Sequence, residues 1–334
     1  MTSANTPDNA AKADFESLEQ AANWYAALHA EGDSAERRAA WREWLAARPE
    51  HRLAWAHIEG ISQRFAPLRA REDGERDAAV AALRVSAKQA GSRRRVLAGL
   101  AALGASGLAT WFGYRLTPLA DLVVAWRADY ATGVGEQRAI ELTDGTQVWL
   151  NTASAFDVEY DDKRRLLTLK QGEILVDTGK DARGRPFYVD TQNGRLQALG
   201  TRFAVRQMPS FTALSVFEGA VQIRTRTGLL ARVEAGQQRT FSADAISAAA
   251  IADRAREAWS RGVILADDIT LAELIEELGR YEHGHLGVDP GVADLRVVGR
   301  YPIGNPDQVL TMLARDLPIA VHKPLPWWTT IGPR

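Results

Sequence analysis

The sequence predicts a multi-domain protein of the α plus β class. Its parts, in order, are a small N-terminal helical bundle, a single transmembrane helix, an all-β domain (sandwich or short β-solenoid) and a small C-terminal α/β module. Three observations predict this arrangement. Apolar residues repeat at helical spacing through the first ninety residues or so, and a charge-free stretch follows at 96–114. Beyond residue 117 the apolar period changes to two, and helical spacing returns near residue 259.

Composition limits the classes of function. The chain has 334 residues, a formal net charge of −1 and no cysteine. That length accommodates two or three domains, each with its own core. The near-neutral charge gives no general attraction to nucleic acid. The absence of cysteine excludes thiol catalysis, thiolate metal sites and disulfides.

Residues 1–12 are small and polar and are predicted to be disordered, and residues 13–90 to form a helical domain. The spacing of Asp33 and Glu36 predicts a capping box, and Pro49 suits the first turn of a third helix.

The predicted helices carry four tryptophans: Trp24, Trp41, Trp44 and Trp55. Tryptophan is a frequent anchor of protein interfaces, so the sequence predicts a protein-binding bundle. The alternative is that these four side chains fill a small core.

The segment from Val96 to Tyr114 has nineteen residues without a formal charge. At about 1.5 Å per residue it spans about 28 Å, enough for the hydrocarbon core of a bilayer. Arg93, Arg94 and Arg95 precede it, so the positive-inside rule places the N-terminus in the cytoplasm and the C-terminal part in the periplasm. The alternatives are a buried soluble helix and, from the string SRRRVL, a twin-arginine export signal.

Residues 120–258 are predicted to be all-β. The Asp144-Gly145 pair lies between two alternating runs, which indicates a hairpin. A series of short strands follows, with glycines at the bends. The predicted strands are 165–170, 173–177, 187–191, 195–199, 202–206, 212–217, 221–225 and 231–234.

Residues 259–334 are predicted to form a two-helix α/β module. Thr270 and Glu273 have the spacing of a capping box, and Asn305-Pro306 caps a second helix. The predicted strands are 285–288, 295–299, 319–322 and 327–331.

The chain carries none of the common motifs of catalysis, phosphate binding or dinucleotide binding. His283 and His285 lack a nearby third ligand, and the acidic pairs Asp161-Asp162 and Asp267-Asp268 are explained by turns and caps. We therefore predict no cofactor, no metal and no enzymatic turnover.

The ordered set of strings resembles the FecR family of bacterial iron-uptake sigma regulators over nearly the whole chain. The N-terminal region is similar through AANWYAALHAEGDSAERRAAWREWLAARPEHRLAWAHIE, with Trp24, Trp44, Pro49, His51 and Trp55 at matching places. The middle is similar through ELTDGTQVWLNTAS, LKQGEILVD, RPFYVDT, LGTRFAV and VFEGAVQI, and the end through Trp259–Gly262, LAELIEELGRY and VVGRY.

The resemblance implies a single-pass anti-sigma factor of the inner membrane. Residues 13–90 would hold an extracytoplasmic-function sigma factor. We expect Trp24, Trp41, Trp44 and Trp55 to contact it, although Trp41 departs from the family pattern as an additional bulky residue beside Trp44. Residues 259–334 would meet the signalling domain of a TonB-dependent outer-membrane receptor for a ferric siderophore or chelate. Periplasmic and intramembrane proteases would then process the regulator. Some members cleave themselves at a Gly-Thr bond, which here matches Gly200-Thr201.

Two other functions compete with this one. The first is a membrane-tethered DNA-binding activator, but residues 1–87 hold eleven basic and fourteen acidic side chains, the opposite of what phosphate binding needs. Because of this charge balance, we predict no direct contact with nucleic acid. The second competing function is a periplasmic binding adaptor that uses the N-terminal domain only as an anchor.

Overall fold

The computed structural model describes residues 14–29, 34–62 and 128–334. Several predictions lie outside these residues: the disordered start (1–12), the cap at Asp33, the helical domain beyond residue 62, the membrane span (96–114) and its flanking Arg93, Arg94 and Arg95. Within the described parts of the chain, no helix is long and apolar enough to cross a membrane.

The chain divides into two compact units. Of the described residues, the helical unit takes 14–29, 34–62 and 321–330, and the sheet unit takes 128–320 together with 331–334.

Three helices form the described N-terminal part of the helical unit: α1 (Phe15–His29), α2 (Ala35–Ala47) and α3, described over 49–62. As predicted, Pro49 is in the first turn of α3. The N-cap of α2 is Ser34, whose side chain accepts a hydrogen bond from the backbone N–H of Arg37 at 3.2 Å. Asp33, the predicted cap, lies outside the described residues.

The helical unit has its own apolar core. Tyr25 on α1 and Trp55 and Ile58 on α3 are each less than a tenth exposed. Trp327 and Trp328, which belong to the same unit, pack in this cluster. The ring centroid of Tyr25 lies 5.8 Å from that of Trp55 and 5.7 Å from that of Trp327. Two tryptophans from the far end of the sequence therefore complete the core of this unit.

Within residues 128–334, one large sheet has thirteen strands. They are β1 (Tyr130–Ala131), β2 (Arg138–Glu141), β3 (Gln147–Leu150), β4 (Ala155–Tyr160), β5 (Arg165–Asp177), β6 (Phe187–Thr191), β7 (Gly194–Ala198), β8 (Arg202–Gln207), β9 (Thr212–Glu218), β10 (Ala220–Thr225), β11 (Leu230–Glu234), β12 (Gln237–Phe241) and β13 (Ala250–Ile251). Their order in the sheet is β11-β10-β7-β6-β5-β8-β9-β12-β13, with β1 to β4 attached beside β5. The pairs are antiparallel, except that β5 and β6 run parallel.

Strand β5 joins the two halves of this sheet. Its first part pairs with β4 and β6, and its second part pairs with β3 and β8. Gly172 lies between the two parts with a φ of 80°. A Cβ atom there would lie 2.5 Å from Ser154 Cα, so only glycine fits. Side chains from both halves share one apolar core, so the sheet is an open half-barrel.

The C-terminal elements begin with a 3₁₀ helix (Arg254–Arg261) that ends at Gly262. The remaining elements are β14 (Val263–Thr270), α4 (Leu271–Gly279), β15 (His285–Val288), β16 (Arg296–Pro302), α5 (Pro306–Asp316), β17 (Ile319–Leu325) and β18 (Trp328–Pro333). β14 pairs with β16, and β15, β18 and β17 form a three-stranded sheet. The predicted capping box of Thr270 and Glu273 is confirmed, and so is the cap at Asn305.

Three details of the strand prediction need correction. The predicted strands 165–170 and 173–177 are one strand, because the backbone continues through Gly172. β4 and β12 were missed: β12 is mostly polar and shows no apolar alternation, whereas β4 does alternate at Phe156, Val158 and Tyr160 and was overlooked. The β-solenoid alternative is wrong, because a solenoid stacks its strands in parallel and this sheet is almost entirely antiparallel.

Candidate functional site

The Gly200-Thr201 bond lies where the chain passes between the two halves of the half-barrel. Residues 199–201 connect β7, in the half with β6 and β10, to β8, in the half with β9 and β12. Gly219 alone connects β9 back to β10. The two connections therefore run beside each other in opposite directions.

These neighbouring connections meet closely at two glycines. Gly200 has a φ of 80° and Gly219 a φ of 75°, a region that glycine adopts at little cost. A Cβ atom on Gly219 would lie 2.3 Å from the carbonyl oxygen of Gly200 and 2.7 Å from Thr201 Cγ2. The pairing of β8 with β9 also shifts register between Arg202 and Phe203, as in a β-bulge. The backbone around the Gly200 carbonyl is therefore closely confined.

Thr201 provides a buried hydroxyl beside this carbonyl. The residue is 3% exposed, and its Oγ1 has no hydrogen-bond partner among the described residues. Most buried polar atoms are hydrogen-bonded, so an unpartnered hydroxyl calls for an explanation. Gly200 itself is exposed to solvent. A buried hydroxyl without a described partner therefore directly follows an exposed glycine in the chain.

Thr178, directly after β5, holds the backbone of Thr201. The Thr201 N–H donates to Thr178 Oγ1 at 2.7 Å. The Thr178 N–H donates to the Thr201 carbonyl oxygen at 3.0 Å, and the Thr178 hydroxyl donates to the same oxygen at 3.2 Å. Sequence analysis missed Thr178: it follows the string LKQGEILVD, but no local pattern marks it. Gly219 lies within VFEGAVQI, where it was interpreted only as a bend.

A second candidate site is the aromatic surface of the helices. The rings of Trp24 and Trp44 lie 6.4 Å apart, and His51 stacks on Trp44 at 4.3 Å with an interplanar angle of 9°. Trp44 Nε1 also donates to Gln20 Oε1 at 2.7 Å. Trp24 and Trp44 are only half-buried, so part of each ring faces solvent. Both side chains therefore lie at the edge of the apolar core rather than inside it.

The other two predicted tryptophans are placed differently. Trp55 is 9% exposed and packs between Tyr25 and Trp41, with a centroid distance of 4.8 Å to Trp41. Trp41 is half-buried, and its indole N–H is buried without a hydrogen-bond partner in the described part of the chain. Trp55 is therefore mainly a core residue, and Trp41 lies between the core and the surface.

The histidine pair lies at the start of β15, where His285 is the first residue of the strand and His283 precedes it. Across the described ranges, no group of three or more histidine, aspartate or glutamate side chains could hold a metal ion. Asp161 caps a turn by accepting from the N–H groups of Lys163 and Arg164, and these two bonds hold its pKa below the ordinary value.

Comparison with known proteins identifies two regions. Residues 128–222 match the FecR protein family, and residues 19–61 match a domain of unknown function, DUF4880. Two crystal structures of a candidate anti-sigma factor from Parabacteroides distasonis ATCC 8503 are similar at 23% identity. In each case the match covers 61% of this chain and 98% of the other, with a TM-score of 0.49. No curated protein matches the chain. The FecR resemblance seen in the sequence is confirmed over residues 128–222, and the DUF4880 match precedes it at residues 19–61.

Proposed function

We propose that this protein is a single-pass anti-sigma factor of the bacterial inner membrane. One combination carries the proposal: a DUF4880 match before the apolar segment with its basic flank, and a FecR match after it. The N-terminal region would hold an extracytoplasmic-function sigma factor in the cytoplasm. The C-terminal region would receive a signal in the periplasm from a TonB-dependent receptor that takes up a ferric siderophore or chelate.

The sigma factor would bind the aromatic surface of the helices. Trp24 and Trp44 offer large, partly exposed rings that are held in place by their contacts with each other and with His51. Rigid aromatic side chains at a surface contribute strongly to protein association, because little side-chain entropy is lost when they are covered. Residues 14–29 and 34–62 are the only described part of the chain that the proposed topology places on the cytoplasmic side.

The membrane span affects the core of the helical unit. A span over 96–114 places the helices and the Trp327-Trp328 pair on opposite sides of the membrane. One chain therefore cannot both span the membrane over 96–114 and pack these two tryptophans against Tyr25 and Ile58. In the membrane-inserted protein, the face of α1 and α3 around Tyr25 and Ile58 is open, and we assign it to the sigma factor together with the aromatic surface.

The receptor would meet the C-terminal elements. β16 pairs only with β14 among the described strands, so its other edge has no strand partner there. Val298 on β16 is 71% exposed. An edge strand with an exposed apolar side chain favours pairing with a strand from a partner. This edge suits the signalling domain of the receptor.

We further propose that the chain cleaves itself once at Gly200-Thr201. The Thr201 hydroxyl attacks the carbonyl carbon of Gly200, the C–N bond breaks, and the hydroxyl proton passes to the Thr201 nitrogen. The resulting ester takes up water and leaves a carboxylate on Gly200 and a free amine on Thr201. Support comes from the unpartnered hydroxyl and the confined glycine backbone. Proteases would act on the cleaved protein in later steps.

Two experiments test the topology and the partner. A reporter active only in the periplasm is fused after residue 120 of the full chain, and the same reporter is fused near residue 10. We expect activity only from the first fusion, and the reverse pattern overturns the proposal. The tagged full chain should also co-purify an extracytoplasmic-function sigma factor. Retention of DNA without a sigma factor would favour the tethered activator instead.

The self-cleavage is tested on a denaturing gel. Wild type should give two fragments, and Thr201→Ala should give one full-length species. Thr201→Ser keeps a hydroxyl and serves as the matched control that still cleaves. Two fragments from Thr201→Ala would show that another protease cuts the chain.

A further inference from the structure

We propose that Thr178 is a positioning residue for cleavage of the Gly200-Thr201 bond, acting through its hydroxyl on the nitrogen that leaves Gly200. The inference rests on the self-cleavage proposed above. The Thr178 oxygen lies 2.7 Å from the Thr201 nitrogen, which is the atom that must be released and protonated. Thr178 Oγ1 is the acceptor for this N–H.

The hydroxyl of Thr178 is oriented by a second bond. It donates to the Thr201 carbonyl oxygen at 3.2 Å, so its lone pairs are available to the Thr201 N–H. Both backbone polar groups of Thr201 are thereby fixed by one residue. Rotation of the Gly200-Thr201 peptide out of this position would break the N–H contact, while the carbonyl contact fixes the peptide that follows.

Thr178 is itself held by the hairpin turn around Asp144. The next residue, Gly179, donates its N–H to Thr146 Oγ1 at 2.9 Å, and its carbonyl oxygen accepts from Arg165 at 3.0 Å. A Cβ atom on Gly179 would lie 2.4 Å from the Asp144 carbonyl oxygen, so the two backbones touch. A buried network therefore fixes the backbone position of Thr178 before any reaction begins.

The opposite side of the scissile peptide is closed by Gly219, which lies against the Gly200 carbonyl oxygen. The peptide is thus confined between Gly219 on the carbonyl side and Thr178 on the nitrogen side. Such confinement favours reaction because the peptide loses less conformational freedom when it reaches the geometry of attack.

The hydrogen bond from the Thr201 N–H to Thr178 Oγ1 should become stronger as the reaction proceeds. When Thr201 Oγ1 bonds to the Gly200 carbon, the amide loses its resonance and its nitrogen takes the proton from the hydroxyl. An N–H group on a nitrogen that is gaining positive charge is a stronger donor than an amide N–H. Its bond to Thr178 is therefore stronger in the transition state than in the intact peptide, which is the condition for faster reaction.

The test uses the full chain and measures the cleavage rate on a denaturing gel, together with the melting temperature. Thr178→Val keeps the shape of the side chain and removes only the hydroxyl, and Thr178→Ser restores the hydroxyl. We expect Thr178→Val to cleave about 10- to 100-fold more slowly than wild type, and Thr178→Ser to cleave at a rate near wild type. Hydroxylamine, which attacks esters, should release less fragment from Thr178→Val than from wild type.

Each outcome decides a specific point. Equal rates for wild type and Thr178→Val overturn the role of Thr178 and leave self-cleavage intact. A wild-type chain that never cleaves overturns both proposals. If Thr178→Val melts at a lower temperature, Thr178→Ala and Thr178→Ser are compared at equal folded fraction, and equal rates for this pair also overturn the inference.

Discussion

Asp144 and Arg165 form an ion pair of 2.6 Å in which the two side chains are only 4% and 8% exposed. Asp144 also accepts hydrogen bonds from the N–H and hydroxyl of Thr146 and from the Tyr160 hydroxyl. Arg165 donates to the carbonyl oxygen of Arg185 and lies over a phenylalanine ring. Burial alone would raise the pKa of Asp144, but the hydrogen bonds from Arg165 and Thr146 outweigh it, and the pKa is lowered.

We expect Asp144→Asn to lower the free energy of unfolding by about 3–5 kcal/mol, because it leaves the buried Arg165 charge without its counter-ion. Urea unfolding of the full chain followed by tryptophan fluorescence measures this. The matched control is Asp162→Asn, whose partner Arg183 is 67% exposed and whose own side chain is 94% exposed. The control should change stability by less than about 1 kcal/mol, and an equal loss in both variants would contradict the argument.

The same ion pair predicts a pH dependence. Because the folded-state pKa of Asp144 is lowered, its contribution is complete at neutral pH. It begins to fall as the pH approaches the unfolded-state value of about 4, and it is lost as the pH falls through the folded-state pKa. The stability difference between wild type and Asp144→Asn should therefore shrink in acid. A difference that stays constant down to pH 3 would show that Asp144 acts through something other than its charge.

The sequence predicted the turn at Asp144 but not the side chains that contact it, and this difference shows how far local patterns reach. The Asp144-Gly145 turn follows from local backbone preferences, and so do the caps at Thr270 and Asn305. The contacts of Asp144 with Arg165 and of Thr178 with Thr201 depend on strand order, which no local pattern encodes. Gly200-Thr201 was found through family resemblance, and its neighbours Thr178 and Gly219 only through the structure.

Gly219 and Gly228 allow a test of backbone confinement at the cleavage site. Both have positive φ, at 75° and 92°, so alanine at either position carries a backbone cost of about 1–2 kcal/mol. A Cβ on Gly228 has no atom within 4 Å, whereas one on Gly219 would lie 2.3 Å from the Gly200 oxygen.

Gly219→Ala should therefore lose clearly more stability than Gly228→Ala, and it should alter the cleavage rate while Gly228→Ala leaves it unchanged. Thermal unfolding and the denaturing gel provide the two measurements. Identical behaviour of the two variants would mean that the Gly219 backbone moves freely and does not confine the Gly200 carbonyl.

Arg280, directly after α4, connects that helix to the half-barrel within the sheet unit. Its guanidinium lies 2.7 Å from Glu173 on β5, and Glu173 is 3% exposed. It also pairs with Glu277, which lies 3.0 Å from Arg206 on β8. Burial would raise the pKa of Glu277, but attraction to Arg280 and Arg206 lowers it.

We expect Arg280→Met to loosen the α4 region from the half-barrel, because Glu173 loses its counter-ion in a buried position. Limited proteolysis should then cut near residue 280 at protease concentrations that leave wild type intact. Arg315→Met is the matched control, since Arg315 and its partner Asp316 are 74% and 58% exposed. If both variants resist proteolysis like wild type, packing of α4 alone is sufficient.

Trp55 and Trp24 separate the core of the helical unit from its proposed binding surface. Trp55 is 9% exposed and contacts Tyr25 and Trp41, so Trp55→Ala should destabilise the unit by about 3–5 kcal/mol. Trp24 is half-buried beside Trp44, so Trp24→Ala should leave the helices folded.

The measurement combines protease resistance of the N-terminal region in the full chain with co-purification of the sigma factor. Trp24→Ala should keep its protease resistance. The amount of sigma factor that co-purifies with it should fall by about tenfold or more, which is the loss expected for an interface anchor. Trp55→Ala should lose both properties together, because the surface depends on the fold beneath it. If Trp24→Ala binds as tightly as wild type, the sigma factor contacts another face of the helices, and the open face around Tyr25 and Ile58 becomes the next candidate.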